Sequence, residues 1–153
     1  MQIQIDSSVI KQHISTSEKD GIQKQVVGAV IKLGDKFLLL ERERSDFMGG
    51  LVELPSGTVG YEEDLVTALA REVEEETGLD VSKVLSYVSE FDYMSGSGKK
   101  TRQFNFLVET KPGEIRLEPT EHQAFHLVSV KDEEFSALNI SDETRNVLLK
   151  ASV

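Results

Sequence analysis

The sequence predicts an α/β sandwich, a mixed β-sheet held between layers of helices. Three observations predict it. Runs of β-branched and apolar residues bounded by turn signals recur along most of the chain. An amphipathic segment of helical period, residues 62–77, interrupts them. A second helix signal over 142–151, opened by Ser141, follows the last strand pattern. Strands interspersed with helices in this way call for helical layers on both faces of a sheet. With 153 residues the chain is expected to form a single domain spanning 1–153, large enough to bury a core.

Residues 1–23 read as a polar, irregular N-terminal extension with one short strand at 3–5. Residues 24–32 contain VVGAVI and read as a strand. Gly34-Asp35 is a turn signal, and 36–41 (KFLLLE) returns as the second arm of a hairpin. Residues 45–50 form a loop ending in two glycines, and 51–54 is a short strand stopped by Pro55. The helix over 62–77 carries acidic residues in its first turn, which suits the helix dipole, and Gly78 is a C-terminal stop. Residues 81–94 read as a strand, 95–98 (SGSG) as a tip, and 101–110 as the antiparallel return. Lys111-Pro112-Gly113 is a turn, 125–130 a strand, and 132–138 a short helix. Ser141 is placed to cap the last helix.

Composition excludes several function classes. There is no cysteine, so a disulfide, a thiolate zinc site and a cysteine nucleophile are all ruled out. The formal net charge of −10 argues against a broad basic face for a nucleic acid polymer. The start, MQIQIDSSVIKQH, lacks the pattern of a signal peptide, and the apolar run 37–40 is far too short to span a bilayer. The expectation is a cytoplasmic protein with no membrane partner. Of the three histidines, His13 stands alone. His122 and His126 are four apart in a segment that reads as a strand, where that spacing makes no helical metal pair, so a histidine metal site is not expected.

The most informative segment is GTVGYEEDLVTALAREVEEETGL, residues 57–79. At about 100° per residue, Leu65, Leu69, Val73 and Ala68 form one apolar stripe, Glu72 and Glu76 fall in its middle, and Glu75 falls at its edge. Glu74 points the other way, as a solvated glutamate should. Burying unpaired carboxylates costs several kcal/mol each, and like charges raise one another's pKa. A divalent cation removes that cost, because magnesium takes oxygen ligands and carboxylates one turn apart can share it.

Gly57, Glu63, Arg71, Glu72, Val73, Glu75, Glu76, Gly78 and Leu79 match, without a gap, the pattern G, five residues, E, seven residues, R-E-apolar-x-E-E-x-G-apolar. This is the box of the Nudix hydrolases, and the chain resembles that family. The resemblance implies a Nudix-type α/β/α sandwich with a mixed sheet. It also implies hydrolysis of a nucleoside diphosphate linked to another group X, with Mg2+ as cofactor and Mn2+ able to substitute. By the same similarity Glu72, Glu75 and Glu76 are the principal metal ligands, and the Ser56 carbonyl supplies a further oxygen. Many relatives carry glycine where this chain has Ser56, a departure that a carbonyl ligand survives. Glu63 approaches the cluster from the helix start, and Arg71 orients the glutamates.

Outside the box, an acidic residue often serves family members as general base or extra ligand. Glu121 is the first candidate here, ahead of Glu53. Arg42, Phe47, Met48 and Asp142 are candidate substrate contacts, and Lys99, Lys100 and Arg102 follow the SGSG tip where phosphates could be met. The expected activity is MutT-like, a nucleoside triphosphate pyrophosphohydrolase releasing a monophosphate and pyrophosphate. An ADP-ribose or nucleotide-sugar pyrophosphatase is the alternative. It is weakened because no proline occurs between Gly57 and Pro112, whereas ADP-ribose members usually carry one past the box. A Nudix-fold sensor that binds a nucleotide without cleaving it is the third reading, disfavoured because every box glutamate is kept. A small-molecule nucleotide is thus the expected partner, and the family's habit of dimerising makes a homodimer compatible with it.

Overall fold

The computed structural model describes residues 1–153. In chain order, β1 (Gln2–Ile3) and α1 (Ser7–Lys19) precede the hairpin β2 (Lys24–Leu33) and β3 (Lys36–Arg42). The short β4 (Val52–Glu53) and β5 (Ser56–Thr58) lead into α2 (Leu65–Thr77). The long antiparallel pair β6 (Val81–Met94) and β7 (Lys100–Thr110) follows, then β8 (His122–Val128), α3 (Glu133–Ala137) and α4 (Asp142–Ala151). The strands join in one sheet in the order β1-β6-β7-β2-β3-β4, with β5 also paired to β2 and β8 to β3. The β1–β6 and β2–β7 pairings are parallel and the rest antiparallel, so the sheet is mixed.

Alternation along β2 and β3 sends side chains to both faces, and each face has its own core. Val27, Ala29, Ile31, Leu38 and Leu40 pack under Leu65, Leu69 and Val73 of α2, with Ile10 and Ile14 of α1 beside them. Val30, Phe37 and Leu39 pack on the other face against Phe135 of α3 and Val147 and Leu148 of α4. The result is the expected α/β/α sandwich. No helix is long and apolar enough to cross a membrane.

The N-terminal segment departs from its sequence reading. Residues 7–19 are a full helix where an irregular stretch was expected. Asp6 caps it by accepting from the Ser8 N–H at 2.9 Å. Two isoleucines one turn apart are too weak a stripe to signal a helix, and docking on the first core provides the rest of its stability. Helix α2 begins at Leu65, not at residue 62, because Asp64 is its N-cap and accepts from the Thr67 N–H at 2.8 Å. Its first turn therefore holds no acidic residue. The stop at Gly78 is as expected, with φ of 75°. Strand β5 had no sequence signal. Strand β8 begins at His122, three residues ahead of its expected start.

Candidate active site

Helix α2 carries its carboxylates down the side that faces β5. Glu76 is 4% exposed and lies within the buried stripe. The Glu72 side chain is 14% exposed and that of Glu75 is 56% exposed, the gradient expected from their places on the helix. Strand β5 pairs with β2 through bonds such as Ala29 N–H to Pro55 O and Val59 N–H to Gln25 O. Alternation along an antiparallel ladder then turns Ser56's N–H and carbonyl away from β2. The Ser56 N–H donates to Glu76 Oε1 at 3.1 Å, and the Ser56 carbonyl is left on the same side. Gly57 lies against Glu72, where a side chain at residue 57 would overlap the carboxylate.

Arg71 is the hub of the polar layer above α2. Its Nε and Nη2 donate to the two oxygens of Glu63, each at 2.9 Å, forming a fork-to-fork pair. Its Nη1 donates to Glu72 Oε1 at 2.8 Å and to Glu75 Oε2 at 3.2 Å, and Nη2 also reaches the Thr58 carbonyl at 3.0 Å. The Gly60 N–H donates to Glu63 as well. One guanidinium thus ties three box glutamates to the end of β5. It draws the Glu63 carboxyl down to about 2, with the Gly60 N–H assisting.

A cleft of about 260 Å³ opens beside this layer, lined by Arg42, Asp46, Glu53, Ser56, Glu76, Glu121 and His122. Every lining residue is polar or charged. Burial pushes Glu76 up to about 9; the Ser56 N–H opposes this, and the charges of Glu53, Glu121 and Glu72 add to it. Burial also raises Glu72, against the pull of Arg71. His122 is 4% exposed. Its Nε2 lies 3.0 Å from Glu53 Oε2, and its Nδ1 lies 3.5 Å from Glu76 Oε2 with no hydrogen-bond partner. Glu53 also accepts from Arg42 Nε at 3.0 Å, and Arg42 Nη1 donates to the Phe47 carbonyl at 2.9 Å.

Donor atoms of Glu76, Glu121 and His122 lie within 4.8 Å of one another. Together with the buried and mutually repelling carboxylates and the orphaned His122 nitrogen, they fit a divalent cation. Glu76, Glu121 and the Ser56 carbonyl line the cleft and could hold it, while Glu72 and Glu75, both paired with Arg71, are not among its lining residues.

The other residues singled out from the sequence are distributed as follows. Glu121, exposed, lines the cleft, its carbonyl accepting from the Glu43 N–H at 2.9 Å. Phe47 and Met48 are exposed on the loop after β3, with Met48 at a φ of 56°. Asp142 is exposed in the first turn of α4 and does not line the cleft. Arg102 pairs with Asp92 at 2.7 Å and Asp20 at 3.0 Å, and Lys100 Nζ donates to the Asp20 carbonyl at 2.7 Å. Both therefore fasten the end of α1 to the β6–β7 pair. Lys99 lies on a separate, larger cavity with Tyr61 and Glu63.

Asp46 and His122 were not anticipated in the cleft. For His122 the cause is a β-bulge. In the pairing of β8 with β3, Glu41 opposes Ala124 but Arg42 opposes His122, which leaves Gln123 as an extra residue. The bulge turns His122 towards Glu76 while His126 faces Glu41 and Glu134, at 3.0 and 3.4 Å.

A family model described as NUDIX domain matches residues 23–150. Among curated proteins, Nudix hydrolase 7 of Arabidopsis thaliana is 44% identical over 69 residues, which cover 40% of this chain and 24% of that protein. The match thus spans about a quarter of that relative's length. Among solved structures, a MutT NUDIX hydrolase from Burkholderia pseudomallei aligns with a TM-score of 0.71 at 26% identity, covering 83% of this chain and 96% of its own. An Ap4A hydrolase from C. elegans, solved as a binary complex, aligns with a TM-score of 0.68 at 25% identity, covering 84% and 95%.

Proposed function

We propose that this chain, which belongs to the Nudix family, acts on phosphorus-containing anhydrides as a Mg2+-dependent, MutT-like nucleoside triphosphate pyrophosphohydrolase. Water attacks a phosphorus of the phosphate chain, the bridging P–O bond breaks, and a nucleoside monophosphate and pyrophosphate leave. The observation that carries this reading is the convergence of Glu76, Glu121 and Glu53 on one wholly polar cleft that also holds Arg42, with Glu72 one turn before Glu76 on α2. When bound, Mg2+, or Mn2+ in its place, neutralises phosphate charge and makes a hydroxide accessible near neutral pH.

The chain's own residues have separable tasks in this reading. Glu72, Glu75 and Glu76 hold the cation together with the Ser56 carbonyl. Arg71 is a positioning residue, keeping Glu63, Glu72 and Glu75 in a fixed arrangement. Glu121 is an exposed carboxylate at the cleft wall, placed to serve as a further ligand of the cation or to take the proton of the attacking water. Arg42 is held at Nε and Nη1, which leaves Nη2 for a phosphate oxygen. Phe47 and Met48 offer apolar surface to a base, and Asp142 a carboxylate at the start of α4. The setting we infer is cytoplasmic, with no nucleic acid polymer as partner, and as a homodimer where it assembles.

The likeness to an Ap4A hydrolase keeps dinucleoside polyphosphates in the comparison set. The test is a panel of nucleoside triphosphates, dinucleoside polyphosphates, ADP-ribose and nucleotide sugars with Mg2+, with products separated chromatographically. Monophosphate and pyrophosphate from a triphosphate are expected at the highest kcat/KM. Preferential cleavage of ADP-ribose or Ap4A would reassign the substrate. Binding without metal-dependent turnover on any of them would leave a nucleotide sensor.

A further inference from the structure

His122 has no place in the reading above, and its surroundings are those of a ligand. It is almost fully buried in a cleft wall of carboxylates. Its Nε2 faces Glu53 Oε2 at 3.0 Å, and that oxygen also accepts from Arg42 Nε. With Nε2 donating to Glu53, the neutral ring presents the Nδ1 lone pair towards Glu76. Nδ1 has no hydrogen-bond partner and lies 3.5 Å from Glu76 Oε2. Two buried ligand atoms thus face each other across a gap that no hydrogen bond closes.

A cation satisfies both. The donor atoms of His122, Glu76 and Glu121 fall within 4.8 Å, close to the span across one coordination sphere, about twice a metal–ligand bond of ~2.1 Å. Metal-bound histidines donate their second ring N–H to a carboxylate, which fixes the tautomer and aims the lone pair. Glu53 stands in that outer position here, itself fixed by Arg42.

We propose that His122 Nδ1 is a nitrogen ligand of the cation held by Glu76 and Glu121, with Glu53 as its outer-shell carboxylate. The proposal rests on the divalent-cation reading of the cleft. An imidazole among oxygen donors shifts preference from Mg2+ towards Mn2+ and Co2+. The rival role is purely structural, a histidine that pins Glu53 and never meets the ion.

Electron spin echo modulation on the Mn2+-loaded full chain separates the two. With one equivalent of Mn2+, a directly bound histidine nitrogen is expected, and its frequencies should change when the protein is made with 15N-histidine. The signal should persist in His126→Gln, which removes the other histidine set among carboxylates. It should vanish in His122→Gln. That variant should bind Mn2+ at least ~10-fold more weakly, no less than outer-shell losses cost, with a smaller loss for Mg2+. Mn2+ binding that depends on Glu76 yet shows no histidine nitrogen would overturn the His122 assignment and leave the carboxylate site standing. Mn2+ binding unchanged in Glu76→Gln would overturn both. If His122→Gln does not fold, the isotope comparison and His126→Gln decide the matter.

Discussion

Gly57 and Glu72 occupy adjoining space: any side chain at residue 57 would displace the Glu72 carboxylate from its seat beside Arg71. A glycine fifteen residues upstream therefore sets where a carboxylate of α2 can stand.

Gly57→Ala should leave the core intact and move Glu72. A misplacement of about 1 Å at a reacting site can cost roughly a hundredfold in rate. Turnover and Mg2+ affinity should both fall, while the melting temperature changes less than in Leu69→Ala, a buried truncation that costs about 2–5 kcal/mol. Wild-type turnover in Gly57→Ala would mean that Glu72 can work from another position.

Arg71→Lys keeps the charge but not the fork. A lysine cannot hold both oxygens of Glu63 and also reach Glu72, Glu75 and the Thr58 carbonyl. Metal affinity should drop by about ten- to a hundredfold, as it does when other residues that orient ligands are lost. Calorimetric titration with Mg2+ reads this directly. If lysine restores what alanine loses, charge alone matters at this position.

The buried Glu76 makes metal-free stability depend on pH. Its pKa rises from 4.5 to about 9 on folding. Between those values the folded protein keeps a proton that the unfolded chain has released, so this contribution is full below 4.5 and is lost as pH rises through 9. Glu63, drawn down to about 2, has the opposite sign and matters only as pH falls from 4.5 towards 2. Without metal, the melting temperature should decline from about pH 5 to about pH 9. Mg2+ should raise it more at the alkaline end and should release a proton on binding near neutral pH. Scanning calorimetry and titrations in buffers of different ionisation enthalpy check both, and a pH-independent profile with no proton release would contradict a protonated Glu76.

Glu121→Gln should lower kcat more than it weakens nucleotide binding, by roughly a hundredfold or more if Glu121 is the general base. Glu53→Gln is the comparison, since Glu53 also lines the cleft but has Oε2 shared between Arg42 and His122. A rate loss confined to Glu53→Gln would move the base there. Two active variants would leave water activation to the cation and the box glutamates.

Much of the fold was legible because period and punctuation agree. The strands at 81–94 and 142–151's capped helix carry clean signals, and the stripe of α2 places Glu72 and Glu76 inside and Glu75 at the rim, as observed. Helix α1 was not legible because its stability comes from docking Ile10 and Ile14, with Ser17 accepting from Gln25 Nε2. Strand β5 is too short to leave a pattern. Arg71's reach to Thr58 and Glu63 follows from the loop that folds back over α2, which no spacing along the helix encodes. The gathering of Arg42, Glu53 and His122 joins three segments far apart in sequence, and composition carries no trace of it.

The extra residue at Gln123 makes strand register itself a determinant of this site. The bulge holds His122 opposite Arg42, on the face that also carries Glu53, whereas unbroken alternation through Gln123 would put residue 122 on the face of Glu41 and His126. Which layer the imidazole joins is thus decided by one step of pairing between β8 and β3, not by residue identity alone.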